Sequence, residues 1–269
     1  MKNSSPLNKW VHFIGIGGIG MSALARWFLS QNWSVSGSDM TFSPLTQELK
    51  RDGVRVKIGH KKANIGSKTA VVVYNQAILP SNPELKEARQ QGIPALTYPE
   101  ALGELTKNYK MIAVSGAHGK STTTSLLSLV LIRAGFDPTV IVGTKLPYFG
   151  GKNFRAGRSK YLLLEADEWK AAFLNYFPTY AIITNIDAEH LDFYKSLSNV
   201  KKTFLKYIGN IKSGGILVAN KDDKNLYGLK SKIKKTANLK RFKIIWYSAV
   251  TRHSAYHRIK SALKISGAH

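Results

Sequence analysis

The sequence contains no cysteine. Disulfides, thiolate metal sites and cysteine nucleophiles are excluded with it, and the absence fits a reducing compartment. Long apolar runs are lacking as well. The most apolar stretch, residues 11–29, is broken by His12, Arg26 and four glycines, short of the roughly 18 clean residues a membrane helix needs. No small-residue cleavage site follows it, so it does not read as a signal peptide, and the expected setting is cytoplasmic. Acidic residues are scarce: 16 Asp and Glu face 40 Lys and Arg, for a net charge of +24. Residues 201–243 hold thirteen of the bases against only Asp222 and Asp223. No nucleic-acid motif accompanies them, so they read as solvated helix faces whose positive potential attracts phosphate-rich substrates, with no nucleic acid or membrane as partner.

What is present is globular. With 43% hydrophobic and 21% charged residues over 269 positions, the chain has material for about two domains of roughly 100–200 residues. Two halves each open with a strand, a glycine-rich turn and a helix. In the first, the strand 10–14 runs into Gly15-Ile16-Gly17-Gly18-Ile19-Gly20, and the following segment carries Ala23, Leu24, Trp27 and Phe28 on one helical face. Asp39 ends a second short strand, 19 residues beyond Gly20, where a dinucleotide-type fold places a ribose-binding acid. Residues 70–74 read as a strand buried on both faces, and Asn82-Pro83-Glu84 as a helix start. The expected class is α/β, a Rossmann-like first domain over 1–106 followed by a phosphate-loop-type, mostly parallel central domain over 107–269.

The second turn is sharper. After a buried strand at 111–115 comes Gly116-Ala117-His118-Gly119-Lys120-Ser121, then a helix to about residue 134. Backbone amides of such a loop cradle phosphate oxygens, the Lys120 ammonium reaches the terminal phosphates, and the Ser121 hydroxyl is placed for Mg2+. Thr122, Thr123 and Thr124 are poor helix formers at a helix start, a place better explained by hydroxyls near phosphates. Glu165 ends the apolar run 161–164, with Asp167 and Glu168 immediately after; an acid at such a strand tip beside a phosphate loop is where a second metal ligand is expected. His190, flanked by Glu189 and Asp192 beyond the Asn185 strand tip, is a candidate metal or phosphate contact. His12, His60, His118, His253, His257 and His269 show no zinc spacing. A dinucleotide-dependent oxidoreductase built on the first turn would leave the Lys120 loop unexplained.

Residues 12–22 with Gly37-Ser38-Asp39, residues 116–124, Glu165-Ala166-Asp167-Glu168 and residues 184–192 together resemble the Mur ligase family. Gly59-His60, Asn64-Ile65 and Asn82-Pro83-Glu84 resemble landmarks of its first domain. The resemblance implies ATP-dependent joining of L-alanine to UDP-N-acetylmuramate through an acyl phosphate, in peptidoglycan precursor synthesis. It implies that Gly15, Gly17, Gly18, Gly20, Met21, Ser22 and Asp39 bind the UDP-sugar. Gly116, His118, Gly119, Lys120, Ser121 and Thr122 would bind ATP, with Lys120, Glu165 and His190 catalytic and Ser121, Glu165 and His190 holding Mg2+.

Trp169-Lys170 stands where the family often has Ser-Asp, an aromatic that is similar to the branch attaching a recycled tripeptide; the glycine-rich opening favours the alanine branch. Ser266-Gly267-Ala268-His269 resembles the start of an adenine-contacting segment, so the chain is expected to be an incomplete ligase without turnover of its own, with 251–264 poorly ordered. A non-catalytic nucleotide-binding remnant is the other reading. None of these motifs encodes an oligomeric state.

Overall fold

The computed structural model describes residues 9–248; the expectations for 251–264, for residues 266–269 and for His253, His257 and His269 lie outside them. In chain order the elements are β1 (Trp10–Ile14), α1 (Ile19–Ser30), β2 (Ser34–Asp39), α2 (Pro44–Arg51), β3 (Arg55–Ile58), β4 (Thr69–Tyr74), α3 (Pro83–Gln90), β5 (Ala95–Thr97) and α4 (Tyr98–Thr106). Then follow β6 (Lys110–Ser115), α5 (Lys120–Arg133), β7 (Thr139–Leu146), β8 (Lys152–Arg155), β9 (Tyr161–Glu165), β10 (Tyr180–Ile183), α6 (Leu191–Tyr194), α7 (Leu197–Ile208), β11 (Ile216–Asn220), α8 (Lys224–Tyr227), α9 (Lys230–Lys240) and β12 (Lys243–Tyr247). The described residues fold into two compact units, 9–109 with 124–165, and 110–123 with 166–248.

The first unit holds a five-stranded parallel sheet in the order β3-β2-β1-β4-β5. Its central strands are the apolar runs of the sequence, and Val11, Phe13, Ile14, Val72 and Val73 are completely buried, as strands covered on both faces must be. The helices start where side-chain acceptors allow. Asn82 Oδ1 accepts from Glu84 N and Leu85 N ahead of α3, and Thr97 forms a reciprocal cap with Glu100 ahead of α4.

Helix α1 departs from the one-faced pattern. Met21 through Arg26 are buried in succession, because α1 packs against β7 and β8 as well as its own sheet. These two strands form an antiparallel pair, and β9 joins β7 in parallel. The fully buried Asn153 of β8 donates to Ile19 O at 2.6 Å and accepts from Arg26 Nη1 at 2.8 Å. Around it, Arg26 Nε binds Asp52 at 2.7 Å, Lys152 binds Asp52 at 2.6 Å and Lys145 binds Glu48 at 2.6 Å.

Under the same sheet, the completely buried Glu84 gathers several elements. Its Oε2 accepts from Ser38 Oγ at 2.5 Å and faces His12 Nε2 at 3.3 Å, while Oε1 accepts from Lys61 N at 3.2 Å and from the Asn64 amide. Burial pushes this carboxyl up, but the hydrogen bonds from His12, Ser38 and Asn64 outweigh it and hold Glu84 below the ordinary value of 4.5. A depressed carboxyl binds fewer protons folded than unfolded, so its stabilisation is present above 4.5 and fades as pH falls through the folded value. The urea midpoint is therefore expected to fall on acidification below pH 4.5, and Glu84→Gln should flatten that slope.

The second unit carries four parallel strands in the order β12-β11-β10-β6. Phe173 stacks on Tyr207 at 4.4 Å, and Phe204 meets it edge-on at 5.1 Å, filling the layer beneath α7. Among the described residues, no helix is long and apolar enough to cross a membrane.

Candidate functional site

The glycine-rich turn after β1 is held by backbone. Gly15 N and Ile16 N donate to Ser38 O at 2.9 and 3.0 Å, and the Asp39 carboxylate accepts from Gly17 N at 2.7 Å and Thr41 N at 3.3 Å. A Cβ on Gly17 would stand 2.8 Å from that carboxylate, so the close approach requires glycine. Gly18 caps α1 with no side chain on the helix amides, an arrangement suited to an anion. Met21 and Ser22, expected at this site, are buried; Ser22 Oγ donates to Ile19 O at 2.8 Å, and both side chains serve packing in this structure.

The loop between β6 and α5 is clamped from the tip of β10. Ala117 N donates to Asn185 O at 3.3 Å, and His118 N to Asn185 Oδ1 at 2.8 Å. Thr184 Oγ1 and Asn185 Nδ2 donate to His118 O at 2.7 and 2.9 Å. The His118 imidazole faces Asp187 at 3.4 Å on the open side. Asp187 is held below its ordinary value by the Ala188 amide and then by His118. Ser121 and Thr122 occupy the first turn of α5.

Lys120 turns back into this loop. Its Nζ donates to Gly116 O at 2.7 Å, to Ala117 O at 3.3 Å and to Glu168 Oε1 at 3.0 Å. Glu168 is 2% exposed, and its other oxygen lies 2.9 Å from the ammonium without accepting a hydrogen bond. Burial raises the Glu168 carboxyl above its ordinary value, with the Lys120 charge opposing. His190 Nε2 stands 3.8 Å from Glu168 Oε1, on a left-handed residue that opens α6. The Tyr194 hydroxyl donates to Glu168 O, and burial pushes this phenol up to about 12.

Asp167, Glu168 and His190 thus offer ligand atoms all within 4.8 Å of one another. An imidazole and two carboxylates, one of them with a buried oxygen that accepts no hydrogen bond, fit a divalent cation beside a phosphate loop. Glu165, the expected ligand, is not among these three; its Oε2 accepts from Gly143 N at 2.7 Å. Glu168 stands in this group, beside Lys120, where the sequence reading expected Glu165. The signal was the four-residue acid segment, but the inward acid is the one that reaches Lys120, and two left-handed residues, Lys170 and Ala171, follow it.

The Mur ligase family, catalytic domain, matches residues 10–110, and the Mur ligase middle domain matches residues 114–266. The chain belongs to the Mur ligase family. It is 48% identical over 223 residues to a UDP-N-acetylmuramate–L-alanine ligase of Clostridium botulinum, covering 82% of this chain and 48% of the relative. The crystal structure of the UDP-N-acetylmuramate-alanine ligase from Thermotoga maritima superposes with a TM-score of 0.74 at 30% identity, over 81% of this chain and 50% of that one. A Neisseria meningitides UDP-N-acetylmuramate:L-alanyl-gamma-D-glutamyl-meso-diaminopimelate ligase reaches 0.77 at 26% identity, over 88% of this chain and 77% of that one. The chain spans about half the length of the curated relatives it matches.

Proposed function

We propose that this Mur ligase chain supplies the UDP-sugar- and ATP-binding parts of a UDP-N-acetylmuramate–L-alanine ligase, in the cytoplasm. The observation that carries the reading is Lys120, poised on a clamped loop and paired with the buried Glu168. In the reaction, the lactyl carboxylate of the sugar takes the γ-phosphoryl group of ATP, and the alanine amine then displaces phosphate from the acyl phosphate to leave an amide.

Residues 1–106 hold the UDP-sugar in this reading, with Gly15, Gly17, Gly18 and Gly20 lending amides and Asp39 shaping the turn. Residues 107–269 hold ATP. Lys120 moves from the loop carbonyls onto the phosphates and balances charge on the transferring group. Glu168 keeps the ammonium aligned, and Asn185 keeps the His118 amide in the cradle. Glu168, His190 and Asp167 would hold Mg2+, with Ser121 on the same loop; the cation supplies neutralisation of phosphate charge when bound. The 269-residue chain is expected to bind both nucleotides.

Calorimetry with UDP-N-acetylmuramate tests the first domain, and absence of heat at millimolar ligand would count against the assignment. For the metal, Glu168→Gln and Glu165→Gln are compared by ATP titration with and without Mg2+. Glu168→Gln should remove the Mg2+-dependent gain, a loss of about 10- to 100-fold in metal affinity. The same loss in Glu165→Gln alone would move the ligand to Glu165.

A further inference from the structure

In the parallel sheet of the first unit, the crossover from β3 to β4 is short. Residues 59–68 contain a single 3-10 turn, Lys62–Asn64, where such crossovers usually carry an α-helix. One face of β1, β2 and β3 is therefore left partly uncovered, and a cavity of about 310 Å³ opens over it. Register fixes what points there: His12 pairs with Ser36 and Ser36 with Arg55, so these three side chains share a face, joined by Trp10 and Lys57 two residues away on their strands. The cavity walls hold Arg55, Lys57 and, from the crossover, Lys68, and no carboxylate. None of these three cations forms an ion pair among the described residues, although Lys145, Lys152 and Arg155 of the same unit all do.

The site is also preformed. The Arg55 guanidinium lies 4.5 Å from the centre of the Trp10 ring, a cation–π contact that holds it at the cavity wall. On the floor, the His12 ring is held by Ser36 Oγ at 2.9 Å and by Glu84 at 3.3 Å. Ser67 adds a hydroxyl at the rim. The volume is at the low end for small-molecule sites. The geometry points to a second anion site on this sheet face, taking the phosphate group of a small phosphorylated metabolite and separate from both the glycine turn and the Lys120 loop. Its existence does not depend on the ligase reading.

The test follows the indole N–H resonance of Trp10, assigned with Trp10→Phe, as inorganic pyrophosphate is added to the full chain at physiological salt. A saturable shift is expected. The doubly substituted Arg55→Ala/Lys68→Ala chain, altered only at exposed positions, should bind at least tenfold more weakly. Lys230→Ala/Lys232→Ala, on the equally basic and exposed face of α9, should leave the titration unchanged. The proposal is overturned by a shift that never saturates, by equal weakening in both double variants, or by no weakening in the first. A response confined to phosphatidylglycerol vesicles or to RNA overturns it too, since the occupant would then be a surface or a polymer.

Discussion

If the proposed function holds, replacing Lys120 with alanine is expected to cost at least about 3 kcal/mol of ATP binding, roughly a hundredfold in affinity, because the ammonium that would meet the phosphates is removed. The structure says what else that variant does. Among the described residues, Glu168 is paired only with Lys120 and, at 3.8 Å, with the His190 imidazole, so loss of the ammonium strands a carboxylate that is 2% exposed. A charge fixed there would cost about 3–5 kcal/mol, but Glu168 can escape by taking a proton. Burial already raises its carboxyl, so the folded chain binds more protons than the unfolded one between the ordinary 4.5 and the raised value. Stability therefore falls as pH rises through that window, and removing the ammonium stretches the window upward. Urea titrations of Lys120→Ala should show this steeper loss, and Lys120→Ala/Glu168→Gln should recover the stability without recovering ATP binding. Unchanged ATP affinity in Lys120→Ala would remove the basis of the nucleotide assignment.

Gly116→Ala should be as damaging by a different route. The residue has φ of +140°, and a Cβ there would stand 2.1 Å from Thr184 Oγ1 and 3.0 Å from the Asn185 backbone, the very groups that clamp the loop. Backbone strain of about 1–3 kcal/mol adds to an overlap relieved only by turning the Thr184 hydroxyl off the loop and moving the Asn185 backbone, so a total of at least about 3 kcal/mol is expected, together with loss of ATP binding. Gly119→Ala is the control. Its φ is +78°, but nothing lies within 4 Å of the added carbon, and the cost should be about 1–2 kcal/mol. Thermal unfolding and nucleotide titration on both variants separate strain from collision; equal behaviour would show that the Thr184–Asn185 clamp is not what fixes the loop.

The central parallel strands were legible because burial on both faces writes them as short apolar runs, as in β1, β4, β6 and β9; β10, β11 and β12 are apolar runs too, though only half-buried. Both glycine turns were legible for the same reason that they work: strand, glycine and helix in succession. The hairpin of β7 and β8 was not, because Gly143, Lys145 and the turn at Gly150-Gly151 break the alternation that would announce it. Without that hairpin, the sequence gives α1 only one partner and one buried face. The acid segment after β9 identified the neighbourhood of the cation site, but not the inward-facing member. The inward member is fixed by its contacts with Lys120 and His190, which lie far away in sequence, and the two left-handed residues that follow it, Lys170 and Ala171, carry no turn signal.

Asn153 bears on how the gene can be cut. A piece ending at residue 106 would keep every strand of the five-stranded sheet, yet α1 would lose the amide that closes Ile19 O and the neighbours that cover Met21 through Arg26. Such a piece would show a sticky flank to solvent and tend to clump at working concentrations. Adding residues 124–165 in trans should quiet it, making the hairpin an obligatory companion to the glycine turn rather than cargo of the half that follows.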